Sequence, residues 1–274
     1  ADGRNAKGGP GRLAARRGLV AAVCIAALAG GATAGDMPSF QTPYYVIHTD
    51  LDRERVQEAA ARMTAMAETY HERTKGFSGT IRERLPFYMF SRVEDYQAYG
   101  GLPGSAGCFI WSSRGQRLMA LASARMGDRV WHVVQHEGFH QFAHNVISHN
   151  LPVWVNEGLA EYFGSAIWTG DDYVTGVIPD GRLHRVQKTI AAKKLLDFRE
   201  MLTMSHEQWN AELATRNYDQ GWSMVHFLVH AEDGMYRKAF GQYIADVARR
   251  KHPTASWIRR FGPDFLVISA GFDT

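Results

Sequence analysis

Two histidines four residues apart, with a glutamate directly after the first, constrain this chain more than any other stretch: His136-Glu137-Gly138-Phe139-His140. Residues at i and i+4 of a helix lie one above the other on one face, so both imidazoles can reach a single ion. The residues around the motif, 128–147, read as one long helix. Glu137 is rotated by about 100° from His136, close enough to hold a water bound to that ion. Each histidine alone reads as a core or surface residue; as a spaced trio with Glu137 they read as half of a metal site.

A catalytic zinc site needs three protein ligands and an open position. The candidate third ligand is Glu157, seventeen residues beyond His140. Leu151 and Pro152 supply a turn, and a second helix expected over residues 156–168 would return against the first. Glu161 lies one turn beyond Glu157 on the same face, placed to accept a hydrogen bond from a ligand imidazole and fix its tautomer. The segment around both acids, Pro152 to Phe163, is largely apolar. Its carboxylates are therefore expected to be semi-buried and partnered rather than solvated.

His136 to His140 followed by Asn156-Glu157-Gly158-Leu159-Ala160-Glu161 resembles the gluzincin zinc peptidases. The resemblance implies a zincin-like α+β fold and one Zn²⁺ held by His136, His140 and Glu157. It makes Glu137 the general base and puts Glu161 and Asn156 around the ligands. Tyr218-Asp219-Gln220-Gly221 is similar to the Y-E-K-G segment of the aminopeptidase N and leukotriene-hydrolase branch, which implies that the Tyr218 hydroxyl stabilises an oxyanion. The resemblance spans about residues 117–232, and its layout is also similar to small bacterial secreted domains of that group. Two departures narrow the class. That branch reads a free amine with a G-x-M-E-N strand, whereas Leu118 to Ser123 holds no glutamate, so aminopeptidase activity is not expected. A metzincin would carry a histidine where Val146 stands. His144, His184, His226 and His230 are reserve positions, read first as neighbours of the site or as structural.

The rest of the chain is expected to form an α+β fold in two lobes: residues 35–127, a small mixed sheet with helices, and residues 128–274, mainly helical and carrying the zinc site. Strands are expected at 44–49, 85–91, 108–111 and 117–122, with helices at 51–75 (capped by Asp50 or Asp52) and 92–99. Beyond 170 the pattern suggests a strand at 173–178 and helices near 182–193, 205–214, 219–232, 235–250 and 253–261. The strand at 117–123 is the expected edge for pairing with an extended peptide. No internal repeat or heptad seam is present.

Residues 1–34 read as a leader. Arg12, Arg16 and Arg17 precede an apolar run from Gly18 to Ala29, and Ala32-Thr33-Ala34 forms an A-x-A cleavage site. The run is short for a membrane span, an uncleaved anchor being the alternative, and the Arg16-Arg17 pair suits twin-arginine export. The product would be exported, periplasmic or extracellular. These residues hold five Lys/Arg against one Asp, so the chain's net charge of +3 becomes −1 without them. The basic balance belongs to the leader and gives no support for nucleic-acid binding, so no nucleic-acid partner is expected. Of the two cysteines only Cys108 lies beyond the leader, which excludes an internal disulfide and a Cys-rich zinc module there. The composition of the whole chain, 45% hydrophobic and 22% charged, is that of a globular protein.

Together these features point to a zinc metallopeptidase acting on a peptide or protein substrate, endopeptidase rather than aminopeptidase. Two other readings are a non-catalytic envelope binding domain that keeps zinc for structure, and a zinc amidase acting on cell-wall fragments. The ligand set also admits other divalent ions.

Overall fold

Every second side chain of Tyr45-Val46-Ile47-His48-Thr49 is buried, the alternation of a strand with one face on a core. The computed structural model describes residues 37–113, 115–122, 128–211 and 214–263. The leader expected over 1–34 and the lobe junction near 127 lie outside the described residues. Within them the chain is α+β. Strand β1 (Ser39–Gln41) runs antiparallel to β2 (Tyr45–Thr49). Helix α1 (Arg53–Thr74) carries the chain over to β3 (Leu85–Phe90), parallel to β2. Asp52 caps α1 by accepting from the Arg55 N–H, while the other candidate, Asp50, accepts from the Ser91 N–H at 2.9 Å instead. A short helix α2 (Val93–Ala98) leads to the hairpin of β4 (Gly107–Ser112) and β5 (Gly115–Leu121). The sheet order is β1-β2-β3-β5-β4, with β5 parallel to β3 and antiparallel to β4.

That order corrects the expected edge. The strand at 117–123 is not free: β5 is hydrogen-bonded to β3 on one side and to β4 on the other. The parallel β3–β5 pairing consumes the inner side, and the hairpin then folds β4 onto the outer side. The edge strand is therefore β4.

Ten helices are described, eight of them after the sheet. Helix α3 (Asp128–Val146) is followed by α4 (Val153–Gly164), a two-stranded ribbon of β6 (Ile167–Trp168) and β7 (Tyr173–Val174), and α5 (Asp180–Ala191). Then come α6 (Phe198–Thr203), α7 (His206–Asn210), α8 (Ala214–Gly234), α9 (Arg237–Ala248) and α10 (Pro253–Phe261). Helix α4 begins directly after Pro152, three residues earlier than expected, because proline serves at a helix start where its missing N–H costs nothing. It stops at Gly164, since Ile167 and Trp168 pair with β7 rather than continue the helix. The strand expected over 173–178 shortens to two residues, and α6 and β1, too short to show a period, escape the sequence pattern.

One hydrophobic cluster runs from Tyr45 on the sheet through α3 and α4 to Trp257 on α10. Helix α3 lies between sheet and helices. Its Phe139 and Phe142 pack against Tyr70 of α1, whose hydroxyl donates to the Gln135 carbonyl. Two close approaches set the spacing around α3. A Cβ on Gly107 of β4 would sit 2.8 Å from Val133 Cγ1 and 2.9 Å from the Met119 carbonyl oxygen, so β4 lies tight against α3. A Cβ on Gly158 of α4 would come within 2.6 Å of the Gly221 carbonyl oxygen on α8. Helices α4 and α8 therefore touch backbone to backbone, which holds Glu157, next to Gly158, and Tyr218, one turn before Gly221, on adjoining surfaces. Gly158→Ala has to force the two helices apart, at an expected cost of about 1–3 kcal/mol; urea unfolding of wild type and variant measures it.

Candidate metal centre

The spacing of His136 and His140 on α3 places their Nε2 atoms 3.1 Å apart. Helix α4 brings Glu157 Oε2 to 3.4 Å from each of them. All three residues are at most 3% exposed. Glu157 Oε2 is a buried acceptor without a hydrogen-bond partner, a costly state unless a cation or a proton satisfies it. Ligand atoms bound tetrahedrally at about 2.0–2.1 Å sit roughly 3.3 Å from one another. The triangle of 3.1, 3.4 and 3.4 Å matches that spacing, so these residues fit one small divalent ion. Among the described residues this is the one such group of three or more metal-binding side chains.

The surrounding polar groups are ordered by charge. Glu161, one turn beyond Glu157, puts Oε1 3.5 Å from His136 Nδ1. Its Oε2 accepts from Arg182 Nη2 and lies 3.6 Å from His132 Nε2. Burial would raise the Glu161 carboxyl, but the charges of Arg182 and His136 outweigh it and hold the group below its ordinary range. Burial pulls His132 down, so that imidazole is neutral near pH 7. Glu137 is fully buried; its Oε2 accepts from the Phe109 N–H of β4 at 2.9 Å, and its Oε1 has no hydrogen-bond partner. Burial raises the Glu137 carboxyl above the ordinary carboxylate value, with the nearby Glu157 charge adding to it.

Tyr218 on α8 closes the group from the far side. Its ring centroid is 6.3 Å from that of His136 and packs edge-on against Trp209 at 5.4 Å. Burial, then the negative charges of Glu157 and Glu137, push its hydroxyl far up, so it remains a proton donor. The structure thus brings His136, Glu137, His140, Glu157, Glu161 and Tyr218 together. It does not bring Asn156, which is half-buried in the first turn of α4 with no side-chain hydrogen bond to these groups among the described residues. Asn156 precedes Glu157 by one residue, a rotation of about 100° round the helix, so the two do not share a face.

The reserve histidines lie elsewhere. His144 lies tilted against Trp111 and Phe109, His184 is exposed on α5, and His226 and His230 bond the Gly176 carbonyl and the Tyr162 hydroxyl. Three contributors were not anticipated. His132 had a signal, since it stands four residues before His136 and shares its helix face. Arg182 and the Phe109 N–H had none, because both reach the site only through packing. A cavity of about 550 Å³ between α5 and α8, lined by Leu183, Val186, Trp222, Phe227 and Trp257 among others, is separate from His136, His140 and Glu157.

Residues 131–254 match a family model whose description is "Protein of unknown function (DUF1570)". The match takes in every residue of the metal group and Tyr218. No curated protein matches the chain.

Without metal, the ligands must satisfy one another. Burial lowers His136, but its 3.4 Å contact with Glu157 and the charges of Glu161 and Glu137 outweigh burial and lift it from 6.5 to about 9. Burial likewise raises Glu157, yet the His140 charge and the close contacts with both imidazoles bring it from 4.5 down to about 2. The raised histidine stabilises the fold fully below about pH 6.5 and loses that contribution as pH rises through about 9. The depressed glutamate contributes above about 4.5 and is lost only as pH falls through about 2. In chelator, the melting temperature of wild type should therefore fall between pH 6.5 and 9, and that of His136→Gln should not. A flat wild-type profile would show that His136 is not held protonated.

Proposed function

We propose that this chain is a zinc-dependent metallopeptidase. One observation carries the reading: three buried ligand atoms lie at coordination spacing, with a buried carboxylate beside them that keeps one oxygen unbonded. His136, His140 and Glu157 would hold the ion; when bound, zinc supplies Lewis acidity that polarises a carbonyl and acidifies water towards about pH 7. Glu161 Oε1 faces His136 Nδ1 at 3.5 Å and would orient that imidazole. The Phe109 N–H clamps Glu137 Oε2 and leaves Oε1 as the atom that takes a proton from the attacking water. Glu137 then hands that proton to the leaving amine. The Tyr218 hydroxyl donates to the oxyanion as it develops.

Substrate alignment is part of the same reading. In the β4–β5 hairpin the Ser112–Gly115 pair closes the turn, so the Phe109 backbone faces away from β5. Glu137 is therefore anchored to the outward side of the edge strand. An extended peptide added there would place its backbone next to the general base. Neither β5 nor the edge strand β4 carries a glutamate, which supports internal cleavage over recognition of a free amine.

The depth of the site favours one second reading. His136, Glu137, His140 and Glu157 are each at most 3% exposed, which suits a zinc kept for structure in a binding domain. The full chain loaded with one equivalent of zinc and incubated with a mixed peptide library separates the two, and a peptidoglycan digest run in parallel detects amidase action. Chelator-sensitive peptide cleavage is expected, and zinc binding with no new products in either arm would sink the enzyme reading. Glu137→Gln should bind zinc as wild type does yet lose about 10²–10⁴-fold in turnover. Tyr218→Phe should lower kcat by about 10²–10³-fold with little change in KM; steady-state kinetics on the best library peptide reads both.

A further inference from the structure

We propose that Arg182 is a positioning residue that holds Glu161 against His136 and ties it to α8, an inference that rests on the metal reading above. Arg182 stands near the start of α5, the helix that follows the β6–β7 ribbon. Most of α5 is exposed, and Arg182 and Val186 are its buried residues. A buried guanidinium in a largely exposed helix has been taken inward, and its desolvation must be offset by partners. It has two. Nη2 donates to Glu161 Oε2, and Nε lies 3.6 Å from Asp219 Oδ1, while the guanidinium sits over the Trp222 ring at 5.5 Å.

Asp219 is itself fixed. Arg185, one turn along α5, grips it with Nε at 2.6 Å and Nη2 at 2.7 Å. Asp219 also directly follows Tyr218. The contacts thus run from His136 to Glu161 on α4, to Arg182 on α5, to Asp219 on α8. Each junction joins a different helix, so the chain of ions locks three helices around one imidazole. Only a planar fork spans two carboxylates in this way; a lysine ammonium is a single point of charge. Glu161 alone sits 3.5 Å from His136 Nδ1, a long contact that a neighbouring cation can hold in place.

The test is zinc affinity, measured on the full chain by competition with a chromophoric chelator, which needs no turnover. Arg182→Met should bind zinc about 10–100-fold more weakly, the range expected for losing a partner that orients a ligand. Glu161→Gln should lose a similar factor, and the double variant should be no weaker than the weaker single, because both changes break one chain of contacts. Asp219→Asn should shift the affinity in the same direction. Arg182→Lys serves if the methionine variant fails to fold, and should bind zinc more weakly than wild type. Unchanged affinity in Arg182→Met or Arg182→Lys, or losses that multiply in the double variant, would overturn the positioning role. A wild-type chain that binds zinc and cuts nothing overturns the peptidase reading alone.

Discussion

Three carboxylates and two imidazoles lie together in the interior between α3, α4 and the sheet, and none of them is more than 7% exposed. Charges removed from water are expensive unless each is paired or hydrogen-bonded. The surrounding architecture answers that demand residue by residue. Glu157 faces His136 and His140, Glu161 faces Arg182 and His132, and Glu137 faces the Phe109 N–H. The partners come from α3, α5 and the edge strand, so the sheet and the helical half are bound to each other through the polar centre as well as through the apolar core.

That arrangement depends on close backbone approach. Gly107 lets β4 press onto α3, which brings the Phe109 N–H within reach of Glu137. Gly158 lets α8 press onto α4, which sets Tyr218 beside His136. A side chain at either glycine would open a gap of the order of a bond length between groups whose interactions fall off over that distance. Two residues with no functional atoms thus govern the geometry of those that have them.

The same packing explains why the centre responds to protonation as a unit. His136 is lifted by Glu157, Glu161 and Glu137, and Glu157 is depressed by His140 and His136, against burial acting on each in the neutralising direction. Tyr218 and Glu137 are pushed the other way, towards their protonated forms, by burial and by the negative charges around them. An acceptor that binds its proton readily and a hydroxyl that keeps its proton flank the ligand triangle, the division of roles that acid–base chemistry needs.

The α+β class, the long strands, α1, α3 and the helices that end the chain are legible from period and punctuation in the sequence. So are the pairs His136/His140, with Glu137, and Glu157/Glu161, because four-residue spacing on a helix is a local geometric fact; that the two pairs face one ion is legible from the turn at Pro152 and a resemblance. Tyr218 was legible only through a resemblance, since nothing local ties residue 218 to residue 136. Sheet order was not legible: alternation marks β5 as a strand but is blind to which neighbour takes each of its sides, and so the edge passed from β5 to β4. Arg182 was hidden for a related reason. Its burial is decided by where α5 lands on α4 and α8, and a single arginine in a polar helix carries no trace of that in its neighbours. Sequence determined which residues share a face; only packing between distant segments decided which faces meet.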